Sequence, residues 1–150
     1  MTLQLAVDDF LKQKTLAVVG ASRKPLKFGN MVYKELKKRG YRVFPVNPQT
    51  ATLGDVPCYP NLKSLPEPVD GVVVVVPPTQ TELVVREAAE AGIRRIWLQQ
   101  GAESENAIHF CRDNGMSVVY GECILMFTEP IGFWHKPHRW LWKLLGKLPK

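Results

Sequence analysis

The sequence has no long apolar run. Its longest, Val72 to Pro78, falls far short of the ~20 residues of a membrane-spanning helix. No basic-then-apolar leader stands at the N-terminus, so no secretory signal is expected. Cysteine is scarce. Cys58, Cys111 and Cys123 lack metal-ligand spacing, and three thiols cannot all pair within one chain, so a reducing, cytoplasmic setting is expected. There is no internal repeat and no low-complexity stretch. A chain of 150 residues with 45% hydrophobic and 23% charged residues has the make-up of an ordinary globular domain, which excludes disorder and collagen-like structure. The length suits one domain with its own core and a short appendage.

Acidic residues are nearly missing from two stretches. Residues 23–42 carry Arg23, Lys24, Lys27, Lys34, Lys37, Lys38, Arg39 and Arg42 against Glu35 alone. Residues 130–150 carry Lys136, Arg139, Lys143, Lys147 and Lys150 and no acid. With a net charge of +6, the rest of the chain is net acidic. Basic patches suit phosphates or anionic surfaces, although Lys34, Lys37 and Lys38 read as a solvated helix face.

The periodicity alternates. A lead-in helix over 3–10 places Val7, Phe10 and Leu11 on one side. A strand at 15–19 runs into Gly20. A helix marked by Met31, Val32 and Leu36 is stopped by Gly40, and a second strand over 41–46 ends at Asn47-Pro48. Residues 49–70 read as loop with one turn of helix near Leu62–Leu65. The third strand, 71–76, is apolar at every position, as suits a central strand covered on both faces. Thr79 reads as the N-cap of a helix reaching Ala91, with Leu83, Val84, Ala88 and Ala91 as its stripe and Gly92 as its stop. Strand four spans 95–99, a helix spans 104–114, and strand five spans 117–120. This βαβ alternation predicts an α/β fold with a doubly wound, mainly parallel five-stranded sheet.

Ligands of such sheets bind at the carboxyl ends of the strands. Gly20-Ala21-Ser22 permits a tight turn and close approach before a helix N-terminus, and Arg23, Lys24 and Lys27 add charge, which together suit phosphate. The positions do not form G-x-G-x-x-G, nor a P-loop. At the second strand end, where an NAD site places a carboxylate on the ribose, stands Asn47. A neutral amide does not repel a phosphorylated ribose, so coenzyme A or NADP fits better than NAD. The remaining strand ends carry Pro77-Pro78-Thr79, Gln99-Gln100-Gly101 and Gly121-Glu122-Cys123.

Several blocks in order, Gly20-Ala21-Ser22, Lys27-x-Gly29-Asn30, Gly40-Tyr41-x-Val43-x-Pro45-Val46-Asn47-Pro48, Val69-Asp70-Gly71-Val72, Pro77-Pro78, Trp97-Leu98-Gln99-Gln100-Gly101 and Cys123, resemble the small stand-alone CoA-binding proteins. These are related to the CoA-binding domain of the succinyl-CoA synthetase α subunit and of NDP-forming acyl-CoA synthetases. The resemblance covers about residues 8–129 and implies a Rossmann-like domain over 1–129 with coenzyme A or an acyl-CoA as ligand. It implies that Gly20, Ala21, Ser22, Arg23, Lys27 and Gly29 meet the phosphates. Asn47 and Pro48 border the adenosine, and Val76, Pro77, Pro78 and Thr79 wall its other side. Gln100, Gly101 and Cys123 lie along the pantetheine arm. Gly121-Glu122 departs from the Asp-Arg pair common before that cysteine. The synthetases also use a catalytic histidine and an ATP-binding region. His109, His135 and His138 match no such motif, so the ligase activity does not carry over.

Cys123 reads either as a thiol that pairs with the cofactor or as a small half-buried residue. No basic neighbour in sequence activates it, which favours the second reading. Residues 130–150 predict a separate helical tail. Trp140, Leu141, Leu144 and Leu145 form an apolar stripe, which suits packing on the domain or a homodimer contact better than an interfacial membrane helix. His135 and His138 have the i, i+3 spacing of metal ligands but no third partner, so no metal is expected. Nucleic acid is not an expected partner, because aromatics are not interleaved with the basic run. The expected function is coenzyme A binding without catalysis. Its rivals are an NADP-dependent oxidoreductase, which the lack of a substrate domain opposes, and a module partnering a separate acyl-CoA synthetase subunit or a membrane.

Overall fold

The apolar segments become strands of one sheet in the computed structural model, which describes residues 3–20, 28–49, 52–53 and 56–126. The chain runs through α1 (Leu3–Leu11), β1 (Thr15–Val19), α2 (Phe28–Lys38), β2 (Arg42–Val46), β3 (Thr52–Leu53) and β4 (Val56–Pro57). A single 3-10 turn follows at Leu62–Ser64, then β5 (Gly71–Val74), α3 (Pro78–Glu90), β6 (Arg95–Leu98), α4 (Glu105–Asp113), β7 (Ser117–Tyr120) and a second 3-10 turn at Ile124–Met126. The main sheet has the order β2-β1-β5-β6-β7 and every pairing in it is parallel. This is the Rossmann-like α/β architecture, with the parallel pairing complete rather than partial. β3 and β4 form a separate antiparallel ribbon inside the stretch read as loop.

Side-chain alternation divides the strands between two cores. Leu16 and Val18 of β1, Val73 of β5, Trp97 of β6 and Val119 of β7 face α1 and α2, where they meet Val7, Phe10, Val32 and Leu36. Ala17 and Val19, Val72 and Val74, and Ile96 and Leu98 face α3 and α4, where they meet Val85, Ala88, Ala107 and Cys111. The uniformly apolar β5 is thus explained by cover on both faces. Gly71 makes room for a ring: a Cβ there would lie 2.7 Å from Phe10 Cε2, and Phe10 in turn meets Trp97 edge-on with centroids 5.4 Å apart.

From β1 the chain steps to β2 through α2, and from β5 it steps the opposite way to β6 and β7 through α3 and α4. Crossovers of one hand place these helices on opposite faces. The order therefore reverses between β1 and β5, the switch point at whose carboxyl ends doubly wound sheets take their ligands.

Several sequence expectations need correction. β5 stops at Val74, not Val76. The Val75 N–H still reaches Val19 O at 2.8 Å, but Pro77 and Pro78 have no N–H to continue the ladder. Thr79 is not the N-cap of α3. Pro77 is, with Pro78 opening the helix and no side-chain cap bond. The inner face of α3 is Thr81, Val85 and Ala88, whereas Leu83 is 71% exposed and Ala91 is exposed. Thr81 is tolerated inside because its hydroxyl donates to Ala102 O at 2.7 Å. Strand four ends at Leu98 and strand two begins at Arg42, each one residue inside the expected bounds. The tail of 130–150 lies outside the described residues.

Candidate functional site

Four strand ends are tied together at the carboxyl edge of the sheet by main-chain bonds. The N–H of Gly20 donates to Val46 O at 3.1 Å, joining the turn after β1 to the end of β2. The Val75 N–H joins β5 to β1, and the Gln99 N–H donates to Val74 O at 3.0 Å, joining β6 to β5. Gly20 has φ +118, and a Cβ built on it would lie 2.4 Å from Val75 O. Gly20 therefore presses against the end of β5 at the reversal point, as only a residue without a side chain permits. Gly29 and Asn30 are buried in the first turn of α2. Ala21, Ser22, Arg23 and Lys27 lie outside the described residues.

Asn47 is half-buried and held twice. Its N–H donates to Tyr59 O at 2.9 Å, and its Oδ1 accepts the Gln49 N–H at 2.8 Å, an Asx turn that carries the chain around Pro48. Beneath it sits buried Cys58. Burial pushes that thiol up from its ordinary value, against backbone hydrogen bonds at Asn47 and Tyr59 that lower it. Val76 is half-buried at the mouth, and Pro48, Pro77, Pro78 and Thr79 are exposed there.

At the far end, Gln100 and Gly101 are exposed, and the Gly101 N–H donates to Glu103 Oε1 at 2.8 Å. Cys123 is half-buried, and its Sγ accepts a 3.3 Å hydrogen bond from Gln99 Nε2. Burial raises the carboxyl pKa of neighbouring Glu122. Sequence reasoning passed over Gln99 as a site residue. The available signal was an amide directly following an apolar strand, where the structure buries it to 1% exposure.

Two Tyr-x-x-x-Lys spacings occur, Tyr33 to Lys37 and Tyr59 to Lys63. Lys37 Nζ stands 5.8 Å over the face of the Tyr33 ring, and Lys63 is paired with Glu90 at 2.8 Å. His109 is exposed on α4. No helix among the described residues is long and apolar enough to cross a membrane.

A parallel doubly wound sheet, its order reversing beside a close-packed glycine, is the Rossmann-like α/β architecture. The chain belongs to the CoA binding domain family, whose sequence profile matches residues 14–129. It is 33% identical over 113 residues to the YneT protein of Bacillus subtilis, which covers 75% of this chain and 84% of that protein. It is 28% identical over 129 residues to the II subunit alpha of the ADP-forming acetate–CoA ligase of Pyrococcus furiosus. That match takes in 79% of this chain but only 28% of the ligase subunit. Among solved structures, a conserved hypothetical protein from Pyrococcus furiosus superposes with a TM-score of 0.71 at 41% identity, covering 75% of this chain and 97% of that one. The apo dinucleotide-forming acetyl-coenzyme A synthetase 1 of Ca. Korarchaeum cryptofilum superposes with a TM-score of 0.65 at 26% identity, covering 75% of this chain and 27% of the synthetase. Family membership supports coenzyme A as the ligand.

Proposed function

We propose that the chain binds coenzyme A, free or as an acyl thioester, along the carboxyl edge of the sheet and performs no catalysis of its own. In this reading the phosphates lie at Gly20, Ala21 and Ser22 with Arg23, Lys27 and Gly29. The adenosine lies between Asn47-Pro48 and Val76-Pro77-Pro78-Thr79, and the pantetheine arm passes Gln100 and Gly101 toward Cys123. The observation that carries it is the match of the CoA binding domain profile to residues 14–129, with Gly20, which has no room for a side chain against Val75, at the end of β1 where such a sheet takes its ligand. The dimensions agree. From β2 to β7 the sheet steps across four strand spacings, about 19 Å, a span suited to an elongated ligand with a nucleotide at one end and a thiol at the other.

Calorimetry tests the reading. Coenzyme A is expected to bind more tightly than dephospho-CoA, and both much more tightly than NAD. Equal affinity for NAD and coenzyme A overturns it. Mass spectrometry of the native protein is expected to show coenzyme A or an acyl-CoA carried through purification.

The same proposal divides the chain into a ligand domain over 1–129 and a tail over 130–150 that packs on the domain or on a second copy, in a cytoplasmic protein. Deleting 130–150 is then expected to lower the melting temperature or change the sedimentation mass while coenzyme A affinity stays within a few fold. Unchanged stability and mass, with only the full chain pelleting on anionic liposomes, refutes the packing role.

A further inference from the structure

The two loops at the far end of the carboxyl edge, 99–102 and 121–124, meet at one buried amide. The Gln99 carbonyl accepts the Ala102 N–H at 2.8 Å, and Ala102 O in turn accepts the Thr81 hydroxyl, which fixes the first loop to α3. The Gln99 side chain, 1% exposed, reaches the second loop: Oε1 accepts the Ile124 N–H at 2.7 Å and Nε2 donates to Cys123 Sγ at 3.3 Å. Ile124 is fully buried, so its N–H needs an acceptor. Only the oxygen end of the amide can serve, which turns the NH2 toward the sulfur. Trp97, two residues earlier in β6, donates from Nε1 to Glu122 O at 3.0 Å. Trp97 of β6 and Gln99 just beyond its end thus grip residues 122, 123 and 124.

We propose that Gln99 is a positioning residue for the thiol end of the ligand: it sets the spacing of the two loops between which the pantetheine arm runs. This rests on the coenzyme A reading above. Gln99 touches the arm through neither loop's tip. It acts by holding Cys123 and Gly101 where the arm meets them.

The test compares coenzyme A with 3′-phosphoadenosine 5′-diphosphate, the same nucleotide without the arm, on the full chain. Gln99→Met keeps the length of the side chain and removes both of its hydrogen bonds. It is expected to weaken coenzyme A about tenfold and to leave the armless nucleotide within about twofold, the scale of one or two lost hydrogen bonds. Gln99→Glu keeps an oxygen for the Ile124 N–H but loses the amide donor to Cys123, so it is expected to show the same split at smaller size, and it serves if the methionine variant does not fold. A loss shared equally by both ligands, or no loss in either, overturns the positioning role. Failure of the unmutated chain to bind coenzyme A overturns the underlying reading instead, and is seen before any variant is made.

Discussion

Gly20→Ala is expected to melt about 10 °C below the parent chain, a loss of about 3–5 kcal/mol. Two terms add. At φ +118 an L side chain is strained whatever the space around it. The new Cβ also falls 2.4 Å from Val75 O and 2.8 Å from Val75 C, and both are backbone, so no side-chain rotation relieves the overlap. Relief requires parting β1 from β5, which lengthens the Val75 N–H bond to Val19 O and the Gly20 N–H bond to Val46 O. Coenzyme A binding is expected to fall below detection, because the same movement displaces the end of β1, where the proposed phosphate site lies. Gly40→Ala supplies the internal control. Gly40 has a similar φ, +102, but nothing lies within 4 Å of its Cβ position, so only the strain remains, about 1 kcal/mol. Thermal melts of both variants separate the two terms. Equal melting temperatures mean that the contact with Val75 does not exist.

The order of elements was legible because each buried strand is a short apolar run and each helix a longer amphipathic one. β7 matched the expected bounds and α4 fell within the expected 104–114, because both depend on near neighbours in sequence; the Ser104 oxygen, which accepts the Ala107 N–H, caps α4. The face of α3 was not legible for a physical reason. Leu83 is apolar yet points away from the sheet, and Thr81 is polar yet buried, because the acceptor that makes its burial acceptable comes from Ala102, 21 residues away. Its cap was misplaced for a related reason. Thr79 has the chemistry of a cap, but the rigid Pro77-Pro78 pair had already begun the helix.

The site follows the same rule. Gly20 and Asn47 could be picked out from their places at strand ends. The identity of what each meets could not: Val75 O, 55 residues on from Gly20, and the Gln49 N–H that claims the Asn47 oxygen. Gln99 was hidden because its partners, Cys123 and Ile124, come from another strand end. Residues whose role is set by backbone conformation show in sequence, whereas those set by a distant partner need the fold.

Asn47→Asp is expected to weaken coenzyme A by about 2 kcal/mol, roughly thirtyfold, and dephospho-CoA much less. The substitution is close to isosteric, and the structure shows why it should leave the turn intact. Asn47 Oδ1 accepts the Gln49 N–H at 2.8 Å, and an aspartate oxygen accepts that bond equally well. The main-chain bond from residue 47 to Tyr59 O does not involve the side chain. What changes is charge, together with the loss of the amide donor, which both ligands share. A carboxylate replaces a neutral amide at the end of β2, where the proposed ribose lies, and coenzyme A carries a phosphate on that ribose while dephospho-CoA does not. Like charges within a few ångströms at this half-buried, solvent-facing strand end repel, whereas a ribose hydroxyl meets the carboxylate as an acceptor. Raising the salt concentration should narrow the mutational difference between the two ligands, since the added repulsion falls on coenzyme A alone and salt weakens it. Calorimetry with both ligands at low and high salt reads all four values. Equal losses for coenzyme A and dephospho-CoA would place Asn47 away from the phosphorylated ribose and reassign the end of β2 to another part of the ligand.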